Sequence, residues 1–183
     1  MDIGGTRTKY GLIDLASRQI VVQQTLPTEK GGLAAFVRAV GKAARSLNQQ
    51  SGLRIGDIIA GGVGVLGYID GDQVSQVWES LAFIEGVTLW SALQEELGFP
   101  IRMDNDGRVA AMGETYFGGH APPGAGRPRR LLSLTLGTGL GVALVVDGRL
   151  LEKARSITWL ATSLSAWGRR SASVVFLAAW NRW

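Results

Sequence analysis

The alternation of apolar and polar positions divides the first half of the chain into strands and amphipathic helices. Residues 7–15 and 19–26 alternate polar with β-branched and other apolar residues, which predicts two strands joined by a turn. The next segment repeats apolar residues at helical spacing and predicts a helix that ends near Gly52. Its apolar positions are Leu33, Phe36, Val37, Val40, Ala44 and Leu47.

Strand and helix patterns continue to alternate up to residue 117. Glycine and proline separate them, as at Gly98 and Pro100, where a helix capped by Thr88 is expected to end. This alternation is typical of an α/β protein. The further predicted elements are a buried strand at 58–65, a hairpin at 68–74, a helix at 88–97, a strand at 101–103 and a helix at 104–117.

A segment rich in glycine and proline marks the expected boundary between two parts of the chain. Two further apolar strands follow it, whereas no periodicity or cap predicts an element in residues 157–183. The predicted division is a first lobe at 1–117, a linker at 118–130, the start of a second lobe at 131–152 and an aberrant tail at 153–183.

Composition limits the classes of protein to which the chain can belong. With 46% hydrophobic residues and 26 glycines, it fits a globular α/β protein with many tight turns. No apolar stretch approaches the ~20 residues of a membrane span, and the N-terminus lacks a signal-peptide pattern. We therefore expect a cytoplasmic protein without a membrane partner. The absence of cysteine excludes disulfides and thiolate metal sites.

The basic pI of 9.8 comes from the end of the chain. Residues 1–152 contain 14 basic and 15 acidic residues, whereas five basic residues and no acidic residue follow Glu152. Because most of the chain is nearly neutral, its charge does not indicate a nucleic-acid partner.

Two glycine-rich loops lie far apart in the sequence, each between predicted strands. One is Asp2-Ile3-Gly4-Gly5-Thr6, and the other is Leu136-Gly137-Thr138-Gly139-Leu140-Gly141. Glycines let backbone N–H groups approach an anion closely, although a plain hairpin turn uses them equally well. The two loops together, with a carboxylate in the first and a threonine in each, favour a nucleotide cleft.

Four segments occur in the order found in one known family. They are residues 2–14, 64–70, 104–114 and 134–150, which contain Asp-Ile-Gly-Gly-Thr, Gly-Val-Leu-Gly-Tyr-Ile-Asp, Asp-Asn-Asp-Gly-Arg-Val-Ala-Ala-Met-Gly-Glu and the second glycine loop. In these segments the chain resembles the ROK (repressor, open reading frame, kinase) family, although Leu66 stands where proline is common. The resemblance covers most of residues 1–152 and implies an α/β, actin-like ATPase (ribonuclease H-like) fold with a nearly complete first lobe.

The resemblance also implies a catalytic group. Asp104, Asn105 and Asp106 precede a predicted helix, and from the sequence alone they could simply cap it. In the family pattern Asp106 is the general base that takes the proton from a sugar hydroxyl, and Asn105 hydrogen-bonds the sugar. The resemblance therefore assigns Asp106 to catalysis.

ATP and Mg²⁺ are the cofactors that the resemblance implies. Asp2 would hold Mg²⁺, directly or through water. Arg7 and Lys9 could add positive charge near the phosphates, or could equally be solvated. The expected phosphate-contacting residues are Asp2, Gly4, Gly5, Thr6, Gly137, Thr138 and Gly139.

Two departures from the family pattern concern the sugar. Many sugar-phosphorylating members carry Pro-Asn-Leu where this chain has Glu79-Ser80-Leu81. Arg108 also replaces the second asparagine of the catalytic segment. We expect Glu79 and Ser80 to contact the sugar, which is then unusual or is held by different hydrogen bonds.

Beyond Arg149 the family pattern requires Glu-(Ile/Leu)-Gly-His and then Cys-x-Cys-Gly-x-x-Gly-Cys-x-Glu, whose histidine and cysteines bind a structural zinc. Neither motif is present in this sequence, so no zinc site is expected.

A shifted reading of codons for residues 171–181 can encode Cys-Phe-Cys-Gly-Leu-Ser-Gly-Cys-Leu-Glu. We therefore expect an out-of-frame tail after a frameshift between roughly Glu152 and Ile157, which incompatible codons in the gene would disprove. A divergent C-terminal helix or amphipathic membrane anchor is the alternative.

The resemblance implies ATP-dependent phosphorylation of a hexose of the glucose or N-acetylhexosamine type. The expected partners are the sugar and ATP, with a homodimer for the intact family. We expect this chain to be an inactive or impaired fragment. The alternatives are a ROK-type transcriptional repressor lacking its DNA-binding domain and a non-catalytic sugar-binding module.

Overall fold

A computed structural model describes residues 1–77, 79–118, 128–136, 140–151 and 174–180. The chain forms two compact units, residues 1–106 and residues 107–183. No helix within these described ranges is long and apolar enough to cross a membrane.

The described residues of the first unit form seven strands, two α-helices and two short 3-10 turns. The strands are β1 (Asp2–Ile3), β2 (Arg7–Asp14), β3 (Gln19–Pro27), β4 (Gly61–Val65), β5 (Tyr68–Asp70), β6 (Gln73–Ser75) and β7 (Ile101–Asn105). The helices are α1 (Leu33–Ser51) and α2 (Leu89–Leu97), and the turns are Ile55–Asp57 and Glu79–Ile84.

A five-stranded sheet with the order β3-β2-β1-β4-β7 forms the centre of this unit. Strands β1, β4 and β7 are parallel, with Asp2 beside Gly64 and Gly64 beside Asp104. Strands β1, β2 and β3 are antiparallel. The carboxyl ends of β1, β4 and β7 therefore lie at the same edge of the sheet.

The core of the first unit lies between this sheet and helices α1 and α2. Helix α1 buries Phe36, Val40 and Leu47, which recur at helical spacing on one face. Helix α2 buries its three leucines, Leu89, Leu93 and Leu97, in the same way. Each such side chain contributes roughly 1.5–3 kcal/mol when fully buried, so packing fixes the strands that carry the candidate site. The strand residues of this core include Ile3, Val63, Val65, Ile101 and Met103.

The second unit contains helix α3 (Asp106–Phe117), whose first residue belongs to the first unit, and a four-stranded sheet. The strands are β8 (Arg130–Leu136), β9 (Leu140–Val146), β10 (Arg149–Leu150) and β11 (Val174–Trp180), in the order β10-β9-β8-β11. Ala111 of α3 packs with Leu131, Ala143 and Val145 of the sheet. The contacts thus group most of α3 with the second sheet, and the division into functional lobes stays a prediction.

Strand β11 corrects the expectation that no element forms in the tail. It pairs antiparallel with β8 along its whole length, from Val174 beside Leu136 to Trp180 beside Arg130. Seven consecutive apolar residues are a strong strand former, and a free sheet edge supplies unpaired backbone groups for them.

The predicted helices and strands agree with the structure except near some ends. The strand predicted at 58–65 begins at Gly61, because residues 55–57 form a 3-10 turn. Thr88 is the N-cap residue of α2, as predicted, and its carbonyl accepts from the Ala92 N–H, although its side chain makes no capping hydrogen bond. The helix predicted from residue 104 begins at Asp106, because Asp104 and Asn105 pair with β4 as strand residues.

Candidate active site

The edge formed by the carboxyl ends of β1, β4 and β7 brings the predicted site residues of the first unit together. Ile3, Val65 and Asn105 lie side by side in the sheet register. The residues that follow them are the Gly4-Gly5-Thr6 loop, the Leu66-Gly67 turn and Asp106. This edge is where open α/β sheets bind ligands, because the loops that leave the strands are free to vary.

The first glycine loop is tightly constrained by its surroundings. The Gly4 N–H donates to the Arg7 carbonyl at 3.1 Å. A Cβ atom at Gly4 would lie 2.7 Å from that same carbonyl oxygen, so a side chain cannot be accommodated without moving the backbone. The loop therefore requires glycine at this position, as a backbone anion site does.

Ser80 lies directly against this loop. A Cβ atom at Gly5 would collide with Ser80 Oγ and lie 3.0 Å from Ser80 Cβ. The segment that carries Ser80 is anchored by Leu81 and Ile84, which are both fully buried, whereas Ser80 and Glu79 are exposed. The structure therefore brings Ser80 to the first glycine loop, where Ser80 is exposed to solvent.

Asn105 is oriented by the turn that follows β4. Its Nδ2 donates to the Gly67 carbonyl at 3.1 Å. Gly67 has a φ of 127°, where only glycine is comfortable, and a Cβ atom there would lie 2.8 Å from the Ser75 carbonyl oxygen. The backbone N–H of Asn105 donates to Asp104 Oδ1 at 2.8 Å. A glycine-dependent turn thus sets the direction of the Asn105 amide beside Asp106.

The Asp2 carboxylate pairs with Lys9 across the β1–β2 ladder. Lys9 Nζ lies 3.3 Å from Asp2 Oδ2, and the two side chains are 69% and 51% exposed. An exposed pair of this kind contributes at most about 1 kcal/mol, so it does not prevent Asp2 from binding a cation. No group of three metal-ligating side chains occurs in the described part of the chain. A single accessible carboxylate fits Mg²⁺, which keeps several waters and takes its other ligands from substrate phosphates.

The described structure does not place every predicted residue at this edge. Gly137, Thr138 and Gly139 fall outside the described residues. Arg108, noted as a departure from the family pattern, belongs to the second unit and is only 4% exposed.

The sequence alone indicates no role for two residues at this edge. Gly67 stands within a family motif that gives it no individual role, and Thr28 lies outside the four family segments. The role of Gly67 depends on its positive φ, which the folded backbone shows and the sequence does not. Thr28 follows Pro27, which pairs with Arg7 in the β2–β3 ladder, so a hairpin register worked out from the turn would have placed Thr28 beside the glycine loop.

Comparison with known proteins gives one consistent result. Residues 1–155 match the family model described as ROK family. A glucokinase of Streptomyces coelicolor is 30% identical over 151 residues, which cover 82% of this chain and 44% of that protein. An N-acetyl-D-glucosamine kinase of Yersinia enterocolitica is 26% identical over 157 residues, which cover 86% of this chain and 48% of that protein. The chain thus spans less than half the length of these curated relatives.

Solved structures show the same fold. The ROK hexokinase of Thermus thermophilus superimposes with a TM-score of 0.68 at 26% identity, over 82% of this chain and 47% of that one. A ROK family transcriptional regulator, a homologue of the E. coli MLC protein, has a TM-score of 0.64 at 16% identity, over 83% of this chain and 37% of that one. At that identity the second likeness concerns the fold alone.

Proposed function

The chain belongs to the ROK family and has its actin-like ATPase fold, and we propose that it carries the catalytic lobe of an ATP-dependent hexose kinase. One observation carries the proposal: the first glycine loop, Asn105 and Asp106 leave parallel strands at one edge of the first sheet. Phosphoryl transfer needs these groups together, because its catalysis is mainly positioning and charge neutralisation.

Each residue at this edge has a chemical task in the proposed reaction. Asp106 accepts the proton of the sugar hydroxyl as that oxygen bonds to the terminal phosphorus of ATP, while the bond from this phosphorus to the bridging oxygen breaks and ADP leaves. Asn105 orients the sugar through its amide. Backbone N–H groups of Gly5 and Thr6 hydrogen-bond the phosphate oxygens, whereas the Gly4 N–H donates to the Arg7 carbonyl and keeps the loop folded. Asp2 would hold Mg²⁺, which neutralises phosphate charge when bound.

We propose a hexose of the glucose or N-acetylhexosamine type as substrate, in line with the names of the relatives. Ser80 is shorter than the asparagine of the family motif and lies against Gly5, so its hydroxyl binds the sugar close to the phosphate loop. Glu79 is exposed beside it and offers a second acceptor for sugar hydroxyls. We propose a cytoplasmic location, because ATP and free hexose occur together there.

The proposed division into lobes follows the sequence: a catalytic lobe at 1–117, a linker at 118–130, the start of a nucleotide lobe at 131–152 and an aberrant tail at 153–183. We propose that a polypeptide of these 183 residues is impaired, because its sequence lacks the family's Glu-(Ile/Leu)-Gly-His and cysteine motifs. The same lack removes the structural zinc. We propose a homodimer only for intact members of the family.

A coupled ADP-release assay across glucose, mannose, N-acetylglucosamine and N-acetylmannosamine tests the proposed function. We expect slow ADP release that depends on one of these sugars, because Asp106 and the first glycine loop are present while the family's Glu-(Ile/Leu)-Gly-His motif is missing. Rapid turnover would contradict the proposed impairment. Sugar binding without any ATP binding would instead favour the repressor or the sugar-binding module.

A further inference from the structure

We infer that Thr28 positions the first glycine loop for phosphate binding, an inference that rests on the proposed function. Thr28 directly follows β3 and is only 8% exposed. Its Oγ1 donates to the Gly4 carbonyl at 2.6 Å, and its backbone N–H donates to the Thr6 carbonyl at 3.0 Å. One residue thus binds the two carbonyl groups on either side of Gly5.

A second buried hydroxyl fixes the direction of these hydrogen bonds. Thr8, which is fully buried, has its Oγ1 3.0 Å from Thr28 Oγ1. A hydroxyl has one hydrogen to donate. Since Thr28 donates it to Gly4, Thr8 must be the donor to Thr28. The Thr28 clamp, defined as Thr8 and Thr28 with their bonds to Gly4 and Thr6, is therefore a chain that runs from Thr8 through Thr28 to the loop.

Because each peptide unit is planar, the hydrogen bonds of the clamp also fix the direction in which the loop N–H groups point. In a trans peptide the C=O and the N–H of the same unit point in opposite directions. The Gly4 carbonyl is turned toward Thr28, so the Gly5 N–H points away from Thr28. By the same argument the Thr6 carbonyl turns the Arg7 N–H away. Fixing both peptide units before any anion binds is the preorganisation that a backbone phosphate site needs.

The Thr28 hydroxyl holds the loop and is not needed to hold the sheet. Strands β2 and β3 already pair from Arg7 beside Pro27 to Asp14 beside Gln19. Thr28 directly follows the last pair of this ladder, and among the described residues its hydroxyl hydrogen-bonds only Thr8 and Gly4. Removing the hydroxyl is therefore expected to change the loop more than the fold.

Thr28→Val tests the inference, because valine keeps the β-branched shape and removes only the hydroxyl. Titration calorimetry of the full chain with MgATP is expected to show about tenfold weaker binding, the change expected from one lost hydrogen bond. Hexose affinity should stay within about twofold, whereas a general loss of structure would weaken both ligands. Thr28→Ser should restore most of the affinity. Thr25→Val is the matched control, since the Thr25 hydroxyl is exposed and makes no side-chain hydrogen bond in the described residues.

Nuclear magnetic resonance of the ligand-free protein separates failure of this inference from failure of the proposed function. Thr28→Val is expected to shift the Gly5 amide resonance, and Thr8→Val to shift it less. An unchanged Gly5 resonance, or wild-type MgATP affinity in Thr28→Val, would overturn the inference. A wild-type chain that binds no MgATP would refute the proposed function and the phosphate role of Thr28 with it. If Thr28→Val does not fold, Thr8→Val tests the same inference, because it removes the hydroxyl that donates to Thr28.

Discussion

Replacing Asp106 with asparagine is expected to slow hexose phosphorylation by about 10²–10⁴-fold, the usual contribution of a positioned general base. Asparagine has nearly the same shape but cannot accept the proton of the sugar hydroxyl. Asp106 is the first residue of α3 and directly follows Asn105 of β7. A radiometric assay of phosphate transfer from ATP, with long incubations, suits the slow turnover expected of this chain.

The controls for this substitution separate catalysis from binding and folding. Asp70→Asn changes an exposed carboxylate of the β5–β6 hairpin and should leave turnover unchanged. Calorimetry should give the same hexose and MgATP affinities for Asp106→Asn as for the unmodified chain, within about threefold. Turnover that survives in Asp106→Asn would remove Asp106 from the role of general base.

Gly67→Ala is expected to lower the free energy of unfolding by about 2–4 kcal/mol, through backbone strain and overpacking together. The φ of Gly67 is 127°, a conformation open only to glycine. A Cβ atom there would lie 2.8 Å from the Ser75 carbonyl oxygen and 3.0 Å from Val74 Cγ1 and Val77 Cγ1. Urea denaturation followed by circular dichroism measures the change.

Gly71→Ala, in the neighbouring β5–β6 turn, is the matched control. Gly71 also has a positive φ, of 58°, but a Cβ atom there meets nothing within 4 Å. Its cost is therefore limited to the left-handed conformation, roughly 1–2 kcal/mol. Equal destabilisation by the two substitutions would show that the contacts around Gly67 do not matter. Because the Gly67 carbonyl accepts the Asn105 amide, Gly67→Ala should also weaken hexose binding, and Gly71→Ala should not.

The parts of the fold that depend on local pattern were predictable from the sequence. Helix α1 was predicted from its apolar spacing, and the β5–β6 hairpin from Asp70-Gly71. The family resemblance also predicted the fold, and the comparisons confirm it.

The tertiary contacts of the site could not be predicted in the same way. The register that places Asp2, Gly64 and Asp104 side by side depends on packing between segments far apart in the chain. The contact between Ser80 and Gly5 depends on the buried anchors Leu81 and Ile84, which only the folded core reveals. The sequence does not predict the pairing of β11 with β8, because strand formation there depends on an available sheet edge.

Amide resonances of the isotope-labelled chain, titrated with MgATP and with each hexose, test the central claim most directly. The claim is that the carboxyl edge of β1, β4 and β7 forms the sugar-phosphorylation site. We expect MgATP to shift the resonances of Gly4, Gly5 and Thr6, and a hexose to shift those of Asn105 and Asp106. Shifts confined to other surfaces, or no shift at these residues at saturating ligand, would contradict it.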